Sequence, residues 1–244
     1  MRADAVHRVL EAELADARRR KGGARPHVLD VGGGSGVWAV PLALAGCSVT
    51  VVDPSPNALA TLQRRATDAG VADLITPLQG DTDALAALSP AGGADLVLAH
   101  GLLEVVDDAA EALAAIAAAT APGGAVSVLV SNRYAAVLSR VLAGRFAEAL
   151  DVLQATDGKA SSDSDTLQRR FDAEGLRELL SAAGLEVKLL QGQGVFSDLV
   201  PGSAAEKNSA TGEALDELEL AAAGQPPLRD IATRLHAIAH TPAE

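Results

Sequence analysis

The residues best suited to chemistry are two acids and the glycines between them: Val28-Leu-Asp-Val-Gly-Gly-Gly-Ser-Gly36, a helix-like stretch, then Val49-Thr-Val-Val-Asp53. An apolar run ending in Asp30, a glycine-dense turn, a helix and a β-branched run ending in an acid describe a βαβ unit that holds a nucleoside. Glycines let backbone N–H groups approach a ligand, and Asp53 at the tip of the second strand suits the two hydroxyls of a ribose. Spacing then chooses among nucleotides. A dinucleotide fingerprint begun at Gly32 requires Gly or Ala where this chain has Val37, which disfavours an NAD-dependent reductase. A phosphate-cradling P-loop requires Gly-Lys-Ser/Thr, and the sequence contains no such tripeptide. What remains is Asp-x-Gly-x-Gly-x-Gly over Asp30, Gly32, Gly34 and Gly36.

The elements that must position these residues follow from periodicity. Helical spacing over 4–20 precedes a Gly22-Gly23 break, strand one spans 27–31, and the next helix spans 35–45, with Pro41 bending it or delaying its start. Strand two is 48–52, a helix runs over 56–69, strand three is 75–79, and a helix at 83–88 follows Gly80-Asp81-Thr82-Asp83. Strand four is 95–99, then come a helix over 107–119, a tight turn at Pro122-Gly-Gly124 and strand five at 125–130. Strands alternating with helices indicate a doubly wound, Rossmann-like α/β fold with seven mostly parallel strands. The pattern then changes: 132–150 reads as a helix or helix pair and 155–166 as a polar loop. A helix at 172–183 and a strand at 185–191 return the chain to the sheet. Helix 204–223 follows, and after a Pro226-Pro227 break the segment 228–241 supplies a short helix and an antiparallel last strand. Residues 1–244 thus read as a single domain, with 132–170 as an inserted cap over the carboxyl edge where such folds bind ligands.

Composition narrows the partners. The 244 residues are 48% apolar but only 2% aromatic, so the core is built from Ala, Leu and Val. A formal charge of −12 argues against a general nucleic-acid coat. The basic cluster Arg18-Arg-Arg-Lys21 with Arg25 reads as a solvated helix end, with a phosphate patch as the other reading. A lone cysteine, Cys47, reads as a packed thiol. His7, His27, His236 and His240 show no ligand spacing, so no metal site is expected. The charged N-terminus and the lack of an 18-residue apolar window lead us to expect a soluble, cytoplasmic protein without membrane attachment.

The glycine pattern resembles motif I of the class I S-adenosylmethionine-dependent methyltransferases. The resemblance implies S-adenosyl-L-methionine as cofactor, held by Asp30, Gly32, Gly33, Gly34 and Gly36, with Asp53, Pro54 and Ser55 at the ribose end. That ligand carries no phosphate, and the turn carries no basic residue. Asp81 and Thr82 stand where an acid in this fold meets the adenine amino group, with Asp83 the expected N-cap of the following helix and an exchange of roles between Asp81 and Asp83 as the alternative. His100, one residue past strand four, is the candidate for proton transfer, and otherwise a contact to cofactor or substrate. Glu104 is a helix cap or a pocket wall.

Longer stretches are more specific: Ala94-Asp-Leu-Val-Leu-Ala-His-Gly-Leu-Leu-Glu-Val-Val-Asp-Asp108, Pro122-Gly-Gly-Ala-Val-Ser-Val-Leu-Val-Ser-Asn132, Leu142-Ala-Gly-Arg-Phe146 and Gly194-Val-Phe-Ser-Asp198. Together these resemble the bacterial family that methyl-esterifies 5-carboxymethoxyuridine at the tRNA wobble position. In that family an Arg of the N-terminal helix holds the cofactor carboxylate, which implies that role for Arg2. The family's lysine-rich insertion is here Asp157-Gly-Lys-Ala-Ser-Ser-Asp-Ser-Asp165, whose acidity disfavours phosphate contacts.

Methyl transfer at a sulfonium needs mainly alignment, and an acceptor that is already a carboxylate needs no general base. We therefore expect methyl transfer to a small, carboxylate-bearing or other metabolite, with Arg133, Arg145 and Tyr134 facing it. The alternatives are a tRNA uridine as acceptor, or a non-catalytic nucleoside-binding protein of the same fold.

Overall fold

The strand that carries Asp30 lies inside a seven-stranded sheet, third from one edge and next to the central strand. In the computed structural model, which describes residues 5–88, 93–155, 169–200 and 210–243, strands alternate with helices. The order is α1 (Ala5–Arg20), β1 (His27–Val31), α2 (Ala39–Leu44), β2 (Ser48–Asp53), α3 (Pro56–Asp68), β3 (Ile75–Gln79), α4 (Leu85–Leu88), β4 (Ala94–His100) and α5 (Ala109–Ala119). Then follow β5 (Thr120–Ser131), α6 (Arg133–Leu142), α7 (Phe146–Gln154), α8 (Ala173–Ala182), β6 (Glu186–Gln193), α9 (Ala210–Ala223) and β7 (Arg234–His240). The strand order is β3-β2-β1-β4-β5-β7-β6.

β1 pairs in parallel with β2 and with β4, and Asp30 lies in register with Val51 on one side and Leu98 on the other. The chain winds outward from β1 through β2 to β3, then crosses back to β4, so the order reverses between β1 and β4. In open α/β sheets ligands bind at the carboxyl ends of strands flanking such a reversal. β7 is antiparallel to β5: Gly123 N–H donates to Pro242 O, Thr241 N–H to Gly124 O, and Asn132 N–H to Thr233 O, pairs whose numbers all sum alike.

Several elements depart from expectation. Pro122-Gly-Gly124 is no separate turn but the opening of β5, because its backbone groups find partners on the 241–242 segment and Thr241 Oγ1 donates to Ala121 O at 2.7 Å. α2 starts only at Ala39, the delayed start that Pro41 led us to expect, which leaves Pro41 in the first turn, where its missing N–H costs no intrahelical bond. The expected pair of helices over 132–150 is present as α6 and α7. Most of the polar segment 155–166, and 204–209 of the predicted helix 204–223, lie outside the described residues.

The chain divides into two compact units. One comprises Leu10–Val128, Leu179–Lys188 and Ile238–Glu244, and its core is aliphatic, with Leu29, Leu62, Leu96, Leu98, Leu113 and Ile116 fully buried. Its helices are capped locally. Ser55 accepts from Ala58 N–H at the start of α3, and Asp108 accepts from Ala110 and Glu111 N–H at the start of α5. Cys47 is buried there, as expected of a packed thiol, and burial pushes its pKa up. Of the basic cluster, Arg18 donates to Ala45 O, Arg19 pairs with Asp16, and Lys21 pairs with Asp95 at 2.8 Å.

The other unit comprises Met1–Val9, Leu129–Glu178 and Leu189–Ala237. Polar side chains tie its segments together around buried apolar residues such as Val152, Leu176 and Leu235. Asn132 Oδ1 accepts from Tyr134 N–H as the N-cap of α6, while Nδ2 donates to Asp230 O at 2.8 Å and Ala232 O at 2.7 Å. Glu219 of α9 accepts the N–H groups of Val195, Phe196 and Ser197, beside a small apolar cluster of Val195, Ala222 and Ala232.

Asn132→Ala should lower the unfolding free energy by about 2–4 kcal/mol, through a lost cap of about 1 kcal/mol and two unpaired carbonyls. Asn132→Ser keeps a capping oxygen without the donors and should recover about 1 kcal/mol in urea denaturation. Equal stability of the two variants would remove the cap from the account.

Candidate cofactor site at the strand tips

The glycine turn after β1 is tied to the tip of β2 by one carboxylate. Asp53 Oδ2 accepts Gly34 N–H at 2.9 Å and Oδ1 accepts Ser55 N–H at 2.8 Å. Each oxygen keeps a lone pair, so the group still has two places for hydroxyl donors while held rigidly. Gly34 has φ +54°, a conformation that side chains strain, and a Cβ built there meets nothing closer than 3.8 Å. The turn is therefore open at Gly34. Arg65 of α3 steadies its far side, donating to Ser35 Oγ at 3.0 Å. Pro54 O receives Gln79 Nε2 at 3.4 Å, and Ser55 caps α3, so Pro54 and Ser55 form a fixed shelf beside Asp53.

Asp30 lies beneath this turn, 1% exposed. Its Oδ2 has no hydrogen-bond partner. A Cβ at Gly33 would lie 2.4 Å from that same oxygen, so Gly33 is required by close approach of a carboxyl and not by its φ. Burial first, and the nearby Asp53 carboxylate second, raise the Asp30 pKa from 3.8 to about 7. An orphaned, buried acid and an open glycine turn are features that a cationic nucleoside ligand would satisfy, since the ligand would bring donors and positive charge to a place that lacks both.

Asp81 and Thr82 lie at the end of β3. Asp81 Oδ1 accepts Asp83 N–H at 3.2 Å and caps the 3-10 turn Thr82–Ala84, so Asp81 takes the capping role expected of Asp83. Both line a groove of about 320 Å³ with Val105, Val106, Asp107 and Asp108. The segment after β4 thus faces the acid expected at adenine.

His100 ends β4, and its environment was not legible in the sequence. Its Nε2 lies 2.8 Å from Ser127 Oγ, and its ring stands edge-on to Trp38, with centroids 4.7 Å apart and planes at 83°. Ser127 is fully buried within the apolar run of β5, and Trp38 follows the glycine turn. A hydroxyl inside the apolar run 125–130 is the signal that could have marked Ser127. Glu104 is buried in the loop after His100. Asp30, Gly32, Gly33, Gly34, Gly36, Asp53, Pro54, Ser55, Asp81, Thr82 and His100 all fall in one unit. Arg2 lies outside the described residues.

The residues expected to face an acceptor fall in the other unit. Arg133 donates to Val152 O and Leu153 O at the end of α7 and pairs with Asp172 at 3.6 Å. Arg145 pairs with Glu148 at 3.2 Å, and the same carboxylate lies 3.8 Å from Arg140 Nε. Tyr134 is half-exposed and lines a cavity of about 440 Å³ with Arg177, Leu190 and Arg229. Among the described residues, no three His, Cys, Asp or Glu side chains are grouped to hold a metal ion, and no helix is long and apolar enough to cross a membrane.

Comparison with known proteins places the chain in a family. The sequence profile of a family described as a methyltransferase domain matches residues 3–190. The tRNA 5-carboxymethoxyuridine methyltransferase of Escherichia coli (strain K12) is 27% identical over 236 residues, 96% of this chain and 87% of that protein. The ubiquinone biosynthesis O-methyltransferase of Paracidovorax citrulli is 37% identical over 117 residues, 48% of each chain. Among solved structures, magnesium protoporphyrin IX methyltransferase from Synechocystis PCC 6803 with bound SAH superposes with a TM-score of 0.59. At 14% identity, covering 96% of this chain and 82% of that one, it shares the fold.

The buried acid predicts a stability signature. Because its folded pKa lies above the unfolded one, the folded protein keeps a proton that the unfolded chain loses between pH 3.8 and about 7. This contribution is full below pH 3.8 and is lost as pH rises to about 7. Roughly three pKa units correspond to on the order of 4 kcal/mol. Asp30→Asn should therefore gain on the wild type by on the order of 4 kcal/mol between pH 4 and pH 8 in urea unfolding of the ligand-free protein. A constant difference across that range would show Asp30 ionised throughout.

Proposed function

The chain belongs to the methyltransferase-domain family and uses S-adenosyl-L-methionine, and from that premise we propose that it methylates a small acceptor, with carboxylate-bearing metabolites the first candidates. The cofactor supplies the activated methyl group. The chain's own residues bind, orient and shield. Asp53 receives the ribose hydroxyls while its other lone pairs keep Gly34 and Ser55 in place. Gly34 lets the turn's backbone come close, Asp81 and Thr82 take the adenine end, and Arg2 the cofactor's carboxylate. His100, held by Ser127 and Trp38, contacts the reacting end. Alignment supplies most of the rate, and a carboxylate acceptor requires no proton to be removed.

The observation that carries the small-acceptor reading is the state of Arg133 and Arg145, in the segment 132–170 proposed to receive the acceptor. Arg133 is engaged with backbone carbonyls and Asp172, and Arg145 with Glu148, in a chain of net charge −12. Phosphate binding needs cations free to release counterions, whereas one small carboxylate needs a single guanidinium fork or the Tyr134 hydroxyl. A second reading, methyl esterification of a tRNA uridine, is favoured by the Escherichia coli relative, which aligns over 96% of this chain.

Replacing Asp53 with Ala should weaken cofactor binding by about 1.5–3 kcal/mol, the range for hydrogen bonds to a charged group. Unchanged affinity in a folded variant would remove Asp53 from the ribose site. The acceptor is decided by tRNA affinity across a salt series, beside methyl transfer to isolated small carboxylates. We expect turnover of a small carboxylate and weak tRNA binding. Tight tRNA binding that falls by about one power of salt concentration per phosphate contact, without small-molecule turnover, would establish the tRNA reading instead.

A further inference from the structure

We propose that cofactor binding drives a proton off Asp30, so that a carboxyl neutral in the ligand-free protein becomes the buried counter-charge to the cofactor's cationic end. The inference rests on S-adenosyl-L-methionine being the ligand of this site.

Geometry points to it before any titration is considered. Asp30 is 1% exposed and its Oδ2 has no hydrogen-bond partner, so a charge there would be neither hydrated nor paired. Among the described residues, its neighbours carry no positive charge: β2 presents Val51 in register, β4 presents Leu98, and the turn above presents Gly32 and Gly33. The titratable group whose charge reaches it is Asp53, at the end of β2, and that charge has the wrong sign. A second negative charge in this buried position is therefore held off by protonation, consistent with a pKa near 7.

A ligand bearing a sulfonium and an ammonium group reverses the balance. Its positive charge favours the ionised carboxyl: the O–H bond of Asp30 breaks, the carboxylate keeps the electron pair, and the proton passes to solvent. The net charge of the site then changes by the ligand's charge less one proton. Cofactor affinity becomes proton-linked, rising about tenfold per pH unit well below pH 7 and levelling above it.

Isothermal calorimetry with S-adenosylmethionine and with S-adenosylhomocysteine, each in buffers of different ionisation enthalpy, counts the protons released. For the wild type we expect about 0.9 proton at pH 6 and about 0.1 at pH 8, the protonated fractions of a group titrating near pH 7. Asp30→Asn should bind without this release, its affinity should lose the pH slope, and its deficit against the wild type should be largest at pH 8. Binding without proton release by the wild type, or with equal release by Asp30→Asn, overturns the inference while leaving the cofactor assignment intact. Absence of binding by either ligand overturns the cofactor assignment and the inference with it. Where Asp30→Asn does not fold, infrared difference spectra of the wild type decide. A protonated-carboxyl band at pH 6 that disappears on adding S-adenosylhomocysteine supports the inference, and a band that persists, or is absent from the start, overturns it.

Discussion

The site depends on two carboxylates at adjacent strand tips that serve opposite purposes. Asp53 is given N–H partners from both sides, Gly34 and Ser55, and becomes the joint between the glycine turn and the start of α3. Asp30 lies deeper and keeps one oxygen without a partner. The parallel sheet imposes both placements, because β1 and β2 in register bring their carboxyl ends to the same edge. Satisfying one acid and starving the other produces a rigid joint above a group whose ionisation costs free energy.

Around this pair the surrounding residues act mainly as supports. Ser55, Gln79 and Arg65 fix the backbone flanking the turn, and Ser127 with Trp38 fix the imidazole of His100. Precise placement suits a reaction whose rate comes from alignment, since in-line transfer tolerates little angular error. The acidic groove containing Asp81 has a different character, open and lined by carboxylates that also cap short helical segments.

The other unit buries aliphatic side chains of its own, Leu176 and Leu235 among them, and polar groups tie its segments together. Asn132 joins the end of β5 to the segment before β7, Arg133 closes the end of α7, and Glu219 gathers three consecutive N–H groups. Arginines that the sequence offers as anion ligands are largely employed in holding helices. The distinction matters for function, because a guanidinium already paired with a carboxylate contributes little to phosphate affinity.

Much of the fold was legible because its signals are local. Strands β1 and β3 fall at the residues that alternation and β-branching indicate, and α3 begins where Ser55-Pro56 provides a cap and a first-turn proline. The glycine spacing and Asp53 marked the ligand class for the same reason: a backbone conformation and a strand-tip acid are properties of short segments. Pro122-Gly-Gly124 misled because its partners, Thr241 and Pro242, are more than a hundred residues away. So are the contacts that decide the chemistry of single groups. The sequence by itself determined the βαβ unit, the cofactor class and the candidate residues of the turn. Only the tertiary structure decided that Asp30 is buried with an orphaned oxygen, that His100 is held between Ser127 and Trp38, and that Arg133 grips a helix end. A side chain's charge state and partners depend on what distant segments bring against it, whereas its place in a strand or turn depends on its neighbours in the chain.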